Sequence, residues 1–217
     1  MPESDPRSRS PAYLIWEEYF ADAEALERVK ALGGVRDQGA WRPLGEEETW
    51  AVERAIVVAI SAAFERYIAE LFTVVARRCG WRKSRIEERL AEFGSISLRG
   101  DVLEFLKEEG VAPGTRSRLT DLRWPSLRFA NPNASNVSRL FEGVLDGEDV
   151  WGGVTAVGQL SGEQVRKLVD NHLQDRHDIA HGRARYRPLK AGPIDKTLLA
   201  FRALVPSLDE CAYGTDG

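Results

Sequence analysis

Cysteine is nearly absent from this chain. Only Cys79 and Cys211 occur among 217 residues, far apart and without metal-ligand or redox spacing. That argues against a disulfide framework and a thiolate metal site, and makes a reducing cytoplasm the simplest setting. Long apolar runs are missing too. The most hydrophobic stretch, Ala55 to Ala63, is bracketed by Glu53, Arg54, Glu65 and Arg66 and is too short to span a bilayer. Met1 to Pro11 is polar and rich in Pro, Ser and Arg, with no apolar signal core behind it, so residues 1–11 read as a disordered tail. No run of alternating β-branched residues suggests a sheet, and no segment repeats.

What remains is an ordinary globular balance, 43% hydrophobic and 29% charged. The net charge of −4 argues against wholesale coating of nucleic acid but leaves room for a local basic patch. Arginine outnumbers lysine 24 to 6, a bias that suits phosphate binding through the guanidinium fork and follows equally from genome composition.

The periodicities predict helices. Leu14, Ile15, Phe20, Leu26 and Val29 place one over about 12–32, stopped at Gly33-Gly34. The longest pattern, Glu46 to Cys79, carries Val52, Ile56, Ala59, Ile60, Ala63, Tyr67, Ile68, Leu71, Val74 and Val75 on a broad stripe, with Gly80 as its stop. It reads as the central helix of an all-α core. Shorter helices are expected at about 83–93 and 100–109, and another from Asn133 or Ser135 to about Leu145. The glycine-rich and proline-rich remainder makes 81–158 an irregular or helical insertion within one domain of residues 12–214. Ser161 and Gln164 form a capping box for a helix that runs to Gly182. Pro193 opens a last helix through Leu208, which Pro206 should kink or end.

The chemistry collects at the end of the Ser161 helix, in Arg176-His177-Asp178-Ile179-Ala180-His181-Gly182. All three histidines, His172, His177 and His181, lie in or just before it, and Arg183, Arg185, Arg187 and Lys190 follow. The bare spacing of Arg, four to six residues, then His says little. About one such match arises by chance in this composition, and Arg166 with His172 makes a second. The weight lies in the surrounding residues: a polar residue after the Arg, an apolar Ile-Ala step, then His-Gly at a helix end.

That string resembles the signature of the HEPN superfamily. Ala59 to Leu71, where small residues precede Phe64 and Glu65, resembles the long second helix of larger HEPN domains. The likeness covers about residues 46–80 and 160–210. It implies a helical bundle that dimerises through the motif helix, and a metal-independent endoribonuclease, often a toxin or phage-defence effector, sometimes paired with an antitoxin protein. By position, Arg176 would hold the scissile phosphate and His181 would handle the proton. A Tyr two residues after the His, present in members regulated by nucleotide transfer, is replaced here by Arg183; the nearest tyrosine is Tyr186.

The residue types suit that chemistry. Cleaving RNA without a metal or other cofactor requires activation of the 2′-hydroxyl and stabilisation of charge on phosphorus. Arginine supplies a permanent planar charge and histidine a proton carrier near neutrality. On an ideal helix Arg176 and His181 stand about 140° apart, so a two-fold interface would let each Arg meet the partner chain's His. His177 shares a face with His181 and is a third candidate for the catalytic site. Arg183, Arg185, Arg187 and Lys190 would contact RNA phosphates, although such a strip also suits a solvated loop. Glu65 could support the site from the long helix, or simply pair with an Arg. Arg176 could alternatively pair with Asp175 or Asp178. A His177/His181 metal pair has no third ligand of clear spacing. Two rival readings remain: a non-catalytic HEPN module that binds RNA or a protein, and a purely structural helical interaction domain.

Overall fold

A computed structural model describes residues 9–37, 39–93, 132–145, 149–152, 154, 160–183 and 188–214. It is a helical bundle. In chain order the elements are α1 (Pro11–Leu32), β1 (Gly34–Asp37), β2 (Ala40–Pro43), α2 (Glu46–Arg78), α3 (Lys83–Phe93), α4 (Ala134–Phe141), α5 (Gly162–Ala180) and α6 (Ile194–Tyr213). The helix expected over 100–109 lies outside the described residues, as do Gly147, Gly153 and Gly158 of the glycine-marked loop. Among the described residues no helix is long and apolar enough to cross a membrane.

The central position of α2 follows from its sequence. Its 33 residues make a rod about 50 Å long. Packing against α1, α3, α4, α5 and α6 buries a wider arc than the single stripe: Val57, Ser61, Phe64 and Phe72 are buried alongside the expected Ile56, Ile60, Tyr67, Ile68 and Leu71. Val52 and Ala59 are only partly covered. Phe64 meets Phe201 of α6 edge-on at 5.3 Å, and Phe72 meets Phe141 of α4 at 5.6 Å. Such aromatic pairs lock neighbouring helices at defined angles.

Three sequence expectations need correction. A two-stranded antiparallel hairpin, β1 with β2, interrupts the all-helical order, pairing Val35 with Arg42 and Arg36 with Trp41. Its two-residue loop includes Gly39 at φ 87°, a conformation glycine adopts without a Cβ penalty. Each strand has only four residues, too few to register as alternation. Arg42 fastens the hairpin to α2 by donating to both oxygens of Glu48 at 2.7 and 2.6 Å. Those bonds, with the Gly45 amide, hold the Glu48 carboxyl down at about 2.

The second correction concerns the tail. Ser10 is buried and caps α1, and its amide donates to Asp209 Oδ2 at 2.8 Å. Its hydroxyl donates to the other Asp209 oxygen. Three residues of the expected tail, Arg9 to Pro11, are therefore part of the fold; residues 1–8 lie outside the described residues. Third, of the two outcomes expected at Pro206, a kink or an end, the second does not occur: α6 continues through Pro206 to Tyr213. The ring removes one amide donor from the helix ladder. Around it, Arg9 donates to the Pro206 carbonyl at 2.7 Å and Tyr67 to the Val205 carbonyl at 3.2 Å. The surrounding bundle holds the helix where propensity alone would stop it.

Other expectations match closely. Lys83–Phe93 is helical as its period predicts. Asn133 caps α4 by accepting the Asn136 amide at 2.8 Å, although that helix ends at Phe141 rather than near Leu145. Ser161 and Gln164 form the capping box of α5.

Candidate functional site

α5 delivers the motif. Val165, Val169, His172 and Leu173 are buried on its inner face, which fixes the rotation of the helix and turns its last residues outward. His172 is fully buried, with Nε2 3.0 Å from the Ser61 hydroxyl. Desolvation holds its imidazole down at about 3, so it is neutral in the fold. Arg166 pairs instead with Asp149. The second Arg-to-His spacing in the sequence is thus a core histidine and a loop clamp, not a site.

The end of α5 is a Schellman turn. His181 is the C-cap. The Gly182 amide donates to the Ile179 carbonyl at 3.0 Å and the Arg183 amide to the Asp178 carbonyl at 2.7 Å. Gly182 sits at φ 67°, where a Cβ is strained although it would meet open space. The helix therefore stops cleanly, and His177 and His181 stay one turn apart on its exposed face. Their ring centroids are 4.3 Å apart at an interplanar angle of 52°.

Arg176 points elsewhere. Its guanidinium lies 3.6 Å from the Glu65 carboxylate of α2 and is about half exposed. Asp175 and Asp178, the neighbours it could have paired with, are engaged by the following loop. Asp175 is buried and accepts the Lys190 and Ala191 amides, both at 2.8 Å. Asp178 accepts the Lys190 ammonium at 2.8 Å and the Gln174 amide at 3.0 Å. Those two bonds, the first above all, hold its carboxyl below the usual carboxylate value. Lys190 and Ala191 are thus pinned against α5.

The three catalytic candidates accordingly share one helix end. His177 and His181 come together, while Arg176 turns toward Glu65 of α2 and shares a groove with His177. Of the four basic residues assigned to RNA phosphates, Arg183 is exposed beside His181, Lys190 is paired with Asp178, and Arg185 and Arg187 lie outside the described residues, as does Tyr186. Among the described residues no group of three or more His, Cys, Asp or Glu side chains is placed to hold a metal ion.

Two concavities flank the motif. One is an open groove of about 580 Å³ between α4 and α5, whose lining includes Asn133, Ser135, Gln174, Arg176 and His177. The other, about 650 Å³, is lined largely by apolar residues of α1 and α2, with Ile179 of the motif at its edge. Sequence reading missed the first because its walls lie some forty residues apart. Only Gln174, three residues before His177 and so on its face, carried a signal. A comparison with protein-family models, curated proteins and solved structures finds no match for this chain.

Proposed function

We propose that this protein is a HEPN-type endoribonuclease that needs no metal ion and works as a homodimer. The observation that carries the reading is the placement of Arg176, His177 and His181 at one outward-turned helix end, with Glu65 beside the guanidinium. In the reaction a histidine imidazole takes the proton of the substrate's 2′-hydroxyl. The resulting oxygen attacks the adjacent phosphorus, and the bond from phosphorus to the 5′-oxygen breaks. A protonated histidine supplies the proton to that leaving oxygen. The products are a 2′,3′-cyclic phosphate and a 5′-hydroxyl. His181 is assigned the principal proton transfer and His177 the auxiliary one, while Arg176 stabilises the charge gathering on the phosphoryl oxygens. DNA lacks the attacking group and is not cut.

A second copy supports the chemistry because Arg176 and His181 diverge within one chain. The apolar groove against Ile179 gives such a copy a seat. Val58 is 45% exposed there, on an apolar surface of α1 and α2 that a second copy would cover. A toxin or phage-defence role, of the kind sometimes paired with an antitoxin protein, is what the HEPN resemblance implies; the cytoplasm is the setting that the scarcity of cysteine favours.

The test compares wild type, Arg176→Ala and His181→Ala on end-labelled single-stranded RNA in EDTA. Cyclic-phosphate ends from wild type alone are the expected outcome. A dimer that binds RNA but never cuts it favours the rival reading, a non-catalytic HEPN module. That rival draws on one observation: Arg176 and Lys190, two of the cations available for phosphate, already face carboxylates.

A further inference from the structure

The groove between α4 and α5 has the composition of a base-reading site rather than of a phosphate channel. Its volume, about 580 Å³, is in the range of small-ligand sites. One wall is the N-terminal edge of α4, where Asn133 and Ser135 stand; the other is α5, with Asp170, Leu173, Gln174, Arg176 and His177. Both walls are fixed. The Ala134 amide donates to Asp170 of α5 at 2.8 Å, and the Trp151 indole donates to the Ala134 carbonyl at 2.9 Å. These bonds hold residues 133–135, part of the central insertion, against the motif helix.

The polar groups left over are complementary in kind. Asn133 Oδ1 is used by the α4 cap, which leaves its Nδ2 as a donor. Gln174 Nε2 is used by Asp178, which leaves its Oε1 as an acceptor. Ser135 is exposed and its hydroxyl can do either. Leu173, 6% exposed, adds an apolar surface. Donor, acceptor and apolar wall together match the edge and face of an unstacked base, which is how single-stranded RNA is read. Phosphate needs cations, and among the described residues the one cation lining this groove is Arg176, at the end shared with His177.

We infer that this groove binds the base of a nucleotide next to the scissile phosphate, and that Asn133, Ser135 and Gln174 set the nucleotide preference. The inference rests on the nuclease reading and assigns the central insertion a part in the site. Sequence preference then comes from residues 133–135 of the insertion together with Gln174 of the motif helix, and cleavage from the end of that helix.

The experiment uses His181→Ala protein, which keeps the groove, and four short fluorescent homopolymeric RNAs, one per base. Binding is followed by anisotropy. The expected spread among the four is about tenfold or more, the scale of a correctly paired base edge. It should collapse in Ser135→Ala and Gln174→Ala backgrounds, while the salt dependence set by phosphate contacts is unchanged. Ser135→Phe, at an exposed position that tolerates bulk, should lower affinity for the preferred RNA to that of the others. Equal binding of all four RNAs overturns the inference, as does a preference that survives all three substitutions; RNA binding as such is untouched by either result. Absence of RNA binding altogether removes the nuclease reading and this inference together.

Discussion

The guanidinium of Arg176 stands 3.6 Å from the carboxylate of Glu65, joining the motif helix to the long central helix at the site where phosphate would bind. Glu65 is the less exposed partner, with 18% of its side chain accessible. A half-exposed ion pair adds little to stability. Its weight is in aiming a long, rotatable side chain. Glu65→Gln should therefore leave the unfolding midpoint nearly unchanged and lower kcat by about tenfold or more through misplacement of the cation. Glu65→Asp should recover part of the loss. Wild-type kcat in Glu65→Gln would mean that the pair only decorates the surface.

Gly182 should be replaceable only at a cost set by the backbone. A Cβ there meets nothing within 4 Å, but φ is 67°. Gly182→Ala should lose about 1 kcal/mol in chemical denaturation, the penalty of the left-handed region. Gly182→Asn should lose less, because asparagine tolerates that conformation. Equal losses in both would point to a steric cause that the open surroundings do not provide.

His172 makes the fold acid-sensitive in a defined window. Its folded-state value of about 3 lies below the ordinary 6.5. Between those limits the unfolded chain binds a proton that the folded chain refuses. Stability from this group is thus complete above about pH 6.5 and falls by about 1.4 kcal/mol per unit as pH drops toward 3. His172→Leu should flatten this part of the profile between pH 6.5 and 4.5. Among the described residues the buried Nδ1 has no hydrogen-bond partner, and Ser61 keeps its bond to the Val57 carbonyl, so the substitution should cost little at pH 7.5. An unchanged slope would show that other groups carry the acid response.

Local signals made much of this molecule legible in sequence. The Ser161–Gln164 box, the period of Lys83–Phe93 and the His-Gly stop each act within a few residues, and each appears in the fold where it was read. Features made by distant partners were not legible. Pro206 reads as a break until Arg9 and Tyr67 reach its neighbourhood from elsewhere in the chain. Ser10 reads as tail until Asp209 arrives from α6. Of the site, the motif was visible and Glu65 was one candidate among many charges. The polar groove was invisible, because only tertiary packing sets Asn133 and Ser135 beside Gln174.

The Ser10–Asp209 contact gives the N-terminus a structural duty that truncation can measure. Asp209 is buried and its carboxyl is raised by desolvation, an effect only partly offset by the bonds from Ser10. Ser10→Ala removes both a helix cap and a buried partner and should lose about 1–3 kcal/mol. Deleting residues 1–11 should lower the midpoint of unfolding at least as far as Ser10→Ala. A stable deletion of 1–11 would show that α1 docks by its apolar face alone, through Trp16 and Phe20.

The two-fold site can be tested by mixing two inactive proteins. If the Arg176 of one chain works with the His181 of the other, a heterodimer of Arg176→Ala and His181→Ala chains contains one site that lacks both groups and one that is intact. Random reassortment makes half of the dimers mixed, so the mixture should regain about a quarter of wild-type cleavage. A site built within a single chain regains nothing, because every chain then carries one defect. The helix geometry favours the first outcome: Arg176 faces Glu65, while His181 stacks near His177 around the helix. Recovery should require conditions that allow subunits to exchange, and Val58→Glu, which places a charge in the apolar groove beside Ile179, should abolish both the dimer and the recovery. A monomeric Val58→Glu protein that still cleaves RNA at the wild-type rate would remove the need for a second copy.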